Sequence, residues 1–193
     1  MSIKWKDQLT GEDLQWAVQV SQFRYKENNN DDPQKLITGF VGAVGEIFIS
    51  KITRIKPEIL MMPRHIWLMK RHTYPDIGIF EVKTTTNPVG ALYLSDSDTN
   101  GAFAILVVAP NGKAIAKSIL SGNKIESMTV HAVGWADVSK VKQGPKGMYN
   151  AYSIEQRNLE KMDKLDKLVE YFKNHPGKIY PRNLPSFTVE SNV

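Results

Sequence analysis

Residues 74–83, Tyr-Pro-Asp-Ile-Gly-Ile-Phe-Glu-Val-Lys, restrict the fold more than any other stretch of this chain. Ile77, Ile79, Phe80 and Val82 supply apolar groups at both parities, the pattern of a strand covered on both faces. Such a strand needs packed layers on either side, as in an α/β domain. Within it Glu81 and Lys83 project to one face, because side chains alternate with period two. A buried charge without compensation costs about 3–5 kcal/mol, so charges kept in such a strand are expected to be used. Two carboxylates beside a lysine are what a divalent cation and an activated water require. The alternative is an ordinary turn at 74–78 followed by a solvated edge strand, with Glu81 and Lys83 as a weak surface pair.

The surrounding pattern reads as helices, then strands, then a helix. Thr10-Gly11-Glu12-Asp13 has the form of a capping box and opens a helix over 10–26, with Leu14, Ala17, Val18 and Phe23 inward. Asp32-Pro33 sets an N-cap before proline at the first helical position, and a helix over 33–55 follows. On it Gly39, Gly42, Ala43, Glu46, Ser50 and Thr53 share one face, and Val41, Val44, Phe48, Ile52 and Ile55 form the adjacent apolar stripe. Strands are expected over 65–71, 77–84, 102–109 and 127–135. Segment 113–120 reads equally as a short helix or a hairpin arm. Ser153-Ile154-Glu155-Gln156 predicts a further helix start, carrying Leu159, Met162, Leu165, Val169 and Phe172 on one stripe. Residues 1–180 are expected to form one domain, with 181–193 an extended or disordered tail.

Pro75-Asp76 followed by Glu81-Val82-Lys83 resembles the core motif of the PD-(D/E)XK nuclease superfamily, the restriction-endonuclease-like fold. Glu46, in Gly39-Phe40-Val41-Gly42-Ala43-Val44-Gly45-Glu46, is similar to the glutamate that this superfamily often carries on a preceding helix. The resemblance covers roughly residues 39–135. It implies a restriction-endonuclease-like mixed sheet flanked by helices, and a Mg²⁺-dependent endonuclease that hydrolyses DNA phosphodiesters. Asp76, Glu81, the Val82 carbonyl and Glu46 would form the metal shell, with Mn²⁺ as a substitute cation, and Lys83 would orient the water or stabilise the transition state. Asp76 and Glu81 stand five positions apart, so one regular strand would point them to opposite faces. A bend or bulge at Gly78 is expected to bring them together. The same fold with a silent site, in a non-catalytic nucleic-acid-binding or assembly protein, is the rival reading, and an RNA-directed nuclease would use the same core.

Charge agrees with a polyanionic partner. Lysine and arginine outnumber aspartate and glutamate by 25 to 20, and the basic residues gather just before the motif. Lys51, Arg54, Lys56, Arg64, Lys70 and Arg71 share residues 51–71 with a single acid, Glu58. Lys51, Arg54, Arg64, Lys70 and Arg71 are the expected phosphate contacts. A homodimer would suit cleavage of both strands. Cysteine is absent and there are four histidines, which argues against disulfides and zinc chemistry. Asn111-Gly112-Lys113 lacks the first glycine of a P-loop. His131 reads as a core histidine, and Asp96 and Asp98 as part of a polar turn. No apolar run near membrane-spanning length and no signal segment are read, so a cytoplasmic protein is expected.

Overall fold

The computed structural model describes residues 3–55, 75–147 and 150–174. In chain order the elements are β1 (Lys6–Thr10), α1 (Gly11–Glu27), α2 (Pro33–Thr53), β2 (Phe80–Thr85), β3 (Leu92–Leu94), β4 (Phe103–Val108), α3 (Gly112–Leu120), β5 (Ser127–Asp137), α4 (Val138–Val141), β6 (Tyr152–Ile154) and α5 (Asp166–Asn174). Two 3₁₀ turns, Gln156–Asn158 and Met162–Leu165, precede α5. The central sheet has the order β1-β5-β4-β2, and β3 pairs with β6 in a separate two-stranded sheet. β2 and β4 run parallel, whereas β4–β5 and β1–β5 are antiparallel. The fold is therefore mixed α/β, with a mixed central sheet flanked by helices.

Alternation along the strands divides the core. Ile105 and Val107 of β4 join Phe80 and Val82 of β2 in a large apolar cluster with α1, α2 and α3. Ala104 and Leu106 turn the other way, into a smaller cluster with Leu92, Leu94 and Val138. α1 and α2 begin where their caps predict. The Thr10 side chain accepts from the Asp13 amide while the Asp13 side chain accepts from the Thr10 N–H, closing the box. Asp32 accepts from the Gln34 amide at 2.8 Å ahead of Pro33. α2 is long and apolar enough to cross a membrane, with a mean hydropathy of 1.5, so the sequence reading that no segment approaches that length is corrected. Its window is 61% buried inside the protein, as befits the central helix of a core. Phe40, Val44, Phe48 and Ile49 supply its fully covered side chains.

One open alternative is decided and one expectation changes. Segment 112–120 is helical, started by Asn111 in the left-handed region. The helix foreseen from Ser153 is absent there. Residues 152–154 form β6, and Glu160 exchanges backbone hydrogen bonds with Trp135 of β5 at 3.0 and 2.9 Å. The Trp135 indole also donates to the Lys161 carbonyl. Pairing with β5 thus outcompetes a local helical preference, and α5 begins only at Asp166. Asp166 is held from a distance by the Trp5 indole at 2.8 Å and the Ile3 amide at 3.2 Å. Met162, Leu165 and Val169 are buried as foreseen. The strand expected over 65–71 and the tail from 181 lie outside the described residues.

Candidate active site

A tight turn stands between Asp76 and Glu81 in place of the expected bulge. Ile77 and Phe80 exchange both backbone hydrogen bonds, N–H to O at 3.0 and 2.8 Å. Gly78 and Ile79 are the two turn residues between them. Gly78 takes φ +59° at the first of these positions, where a side chain is disfavoured and glycine is not. The reversal at this isolated bridge brings Asp76 back alongside the start of β2. The Asp76 carboxylate then reaches the outer edge of β2 and accepts the Val82 amide at 2.8 Å. β2 is the last strand of the sheet order among the described residues. In a parallel ladder the N–H and C=O of one residue turn the same way, so the Val82 carbonyl lies on this edge too.

Glu46 comes from α2, which lies against β2 so closely that Gly45 has no room for a side chain. A Cβ there would sit 1.9 Å from Thr84 Oγ1. Thr84 therefore faces the helix and its hydroxyl is buried without a partner. The adjacent Glu46 is buried, and Arg24 of α1 grips it with two parallel bonds, Nη1 to Oε1 at 2.8 Å and Nη2 to Oε2 at 2.6 Å. Such fork-to-fork pairs are strong and fix orientation. Arg24 was not foreseen. Its only sequence signal is a cation in the last turn of α1, a position any helix favours.

On the opposite face of β2, Glu81 accepts the Thr99 amide at 2.8 Å and Lys83 donates to Asp98 at 2.6 Å. Asp98 is 8% exposed. The sequence reading made it part of a polar turn, which it is, but its carboxylate points inward to the lysine. Nothing in the local pattern distinguishes it from the exposed Asp96.

The groups sense one another electrostatically. Asp76 has its pKa raised well above 3.8 by loss of hydration, then by the charges of Glu46 and Glu81, against the pull of Lys83 and the Val82 amide. Burial likewise raises Glu81 above its usual value, with Lys83 opposing. Burial acts to lower the Lys83 pKa, but Asp98, Asp76 and Glu81 together hold the ammonium above its ordinary range. Arg24 is also kept firmly charged, by Glu46 and then Asp76, in spite of burial. Asp76 thus feels charge from both sides of β2, from Glu46 and Arg24 on one and from Glu81 and Lys83 on the other.

Among the described residues no three acidic or imidazole side chains converge closely enough to share one ion. Arg24 takes both oxygens of Glu46, and Asp98 is tied to Lys83. Asp76 and Glu81 remain as the pair, each with one oxygen on a backbone amide. One or two carboxylates with water and substrate phosphate form the common donor set for Mg²⁺, so these hard oxygen donors fit that cation. Of the expected phosphate contacts, Lys51 is ion-paired with Asp13, and Arg54 is the exposed left-handed cap of α2. Arg64, Lys70 and Arg71 lie outside the described residues. Compared with protein-family models, curated proteins and solved structures, the chain matches none.

Proposed function

We propose that this protein is a Mg²⁺-dependent deoxyribonuclease of the restriction-endonuclease-like type, cutting DNA internally. The observation that carries the reading is the tight turn before β2, which returns the Asp76 carboxylate to the amide of Val82, the residue between Glu81 and Lys83 in sequence. Asp76 and Glu81 would hold the cation, with the Val82 carbonyl at the edge of β2, while Glu46 stays bound to Arg24. When bound, Mg²⁺ would lower the pKa of a water and neutralise charge on the scissile phosphate. Lys83 has three donors and gives one to Asp98. The others are available to a non-bridging phosphate oxygen, where a compact ammonium stabilises the charge of the transition state. The net charge of +5 favours a polyanionic substrate.

Incubation with closed-circular plasmid and Mg²⁺, beside Lys83→Ala and Asp76→Ala, tests this. Wild type is expected to nick or linearise the plasmid, and each variant to lose about 100-fold or more, the scale of removing one transition-state stabiliser. Equal cleavage by all three proteins would sink the enzyme reading. The second reading, a nucleic-acid-binding or assembly protein on the same frame, draws on the failure of three described acids to converge. DNA binding without cleavage in either Mg²⁺ or Mn²⁺ would establish it.

A further inference from the structure

The face of β2 that carries Glu81 and Lys83 is gripped by one loop, residues 95–101. Asp98 Oδ1 receives the Lys83 ammonium at 2.6 Å, and Oδ2 accepts the Ser95 amide at 2.7 Å. With both oxygens engaged and little exposure, the Asp98 carboxylate cannot turn away. The next residue, Thr99, is 3% exposed and gives its amide to Glu81. Two consecutive loop residues therefore hold the two functional side chains of β2.

The loop is itself tied to the segment after β5. Lys142 Nζ donates to the carbonyls of Asp96 and Asp98, and Lys146 Nζ pairs with the Asp96 carboxylate at 2.6 Å. The Gly101 amide donates to Ser139 Oγ at 2.9 Å. These partners lie 38 to 50 residues further along the chain, so the arrangement is tertiary and not a local turn closing on itself.

We infer that loop 95–101 is the positioning element of the site, in which Asp98 fixes the Lys83 ammonium and the Thr99 amide fixes the Glu81 carboxylate. A lysine has four flexible side-chain torsions and loses considerable freedom when held. Asp98 ensures that this freedom is lost in the folded protein, before substrate arrives, which is where preorganisation lowers a barrier. Asp98 touches the lysine and not the substrate. It is a positioning residue.

The catalytic consequence rests on the nuclease reading, whereas the geometric claim does not. Two measurements on the full chain separate them. The first is the steady-state cleavage of plasmid in saturating Mg²⁺. The second is the ¹H–¹⁵N signal of the Lys83 side-chain ammonium, assigned by its loss in Lys83→Arg and visible only when the ammonium is held against exchange. Asp98→Asn is expected to erase that signal and to lower kcat about tenfold or more while KM stays within about twofold, since misplacement weakens the transition state rather than binding. Lys142→Met leaves Asp98, Lys83 and Glu81 in place and removes the tie from the segment after β5 that bonds the Asp98 backbone itself. It is expected to broaden the signal and lower kcat about threefold, and it decides the matter if Asp98→Asn does not fold.

A Lys83 signal that persists in Asp98→Asn, or unchanged kcat and signal in Lys142→Met, overturns the inference. A wild type that cuts no DNA while Asp98→Asn still loses the signal defeats the nuclease reading and supports the clamp.

Discussion

A buried aspartate carries charge only against resistance, and Asp76 is cut off from water and then flanked by Glu46 and Glu81. Its folded-state pKa is raised, so the folded chain holds that proton more tightly than the unfolded chain. The stabilisation is complete below the ordinary value of 3.8 and is lost as pH rises through the elevated folded value. Denaturant melts in chelator, run from pH 4 upward, should show stability falling with pH, and Asp76→Asn should flatten that fall. At pH 7 without divalent ions, Asp76→Asn should be more stable than wild type by about 1 kcal/mol, the usual gain when a strained functional group is removed. A variant less stable than wild type would contradict the electrostatic account. Gly45 is the second residue under constraint. Gly45→Ala drives a methyl into Thr84 Oγ1 and Cβ, and should cost about 1–3 kcal/mol by overpacking. Adding Thr84→Ala removes both the clash and an unpartnered buried hydroxyl. The double variant should recover part of the loss, a coupling that a melting-temperature cycle reads directly.

At the scale of elements, the turn before β2 decides whether a site exists. Ile77-Gly78-Ile79-Phe80 reverses the chain in two residues, and that reversal brings the Asp76 carboxylate to the Val82 amide. Gly78→Ala meets a positive φ and a contact with Ile55 Cγ2 at 3.1 Å. It should destabilise the fold by about 1 kcal/mol and weaken Mn²⁺ binding by more than that loss explains, because Asp76 is no longer held at the edge of β2. Titration calorimetry would check it, and wild-type Mn²⁺ affinity in Gly78→Ala would refute the hairpin argument. The C-terminal elements show the opposite relation between local signal and outcome. The helical stripe from Leu159 to Val169 is present in the sequence, yet its first half pairs with β5 through Glu160. The close approach of Gly134 to Leu159 favours that exchange, since any Cβ at Gly134 would lie 2.5 Å from the Leu159 Cβ.

For the whole molecule, the repulsion that Asp76 feels from Glu46 and Glu81 is what a divalent ion held there would relieve. Mn²⁺ at a hundred times its Kd should stabilise wild type by about 2.7 kcal/mol through mass action alone, and the shift should vanish in Asp76→Asn. A thermal-shift series with both proteins checks this, and identical shifts would place the ion elsewhere. The amino-acid sequence alone determined which residues could be buried. Caps at Thr10 and Asp32, the apolar runs of β2 and β4, and the charges in the Asp76–Lys83 stretch all follow from local pattern, because capping and alternation act over a few residues. Tertiary structure decided the partners. Arg24 for Glu46, Asp98 for Lys83, and β5 for the segment at Glu160 are choices made across 15 to 26 residues of chain. An ion pair or a strand pairing at that range depends on which surfaces the packed core brings together, and side-chain spacing along the chain carries no record of it.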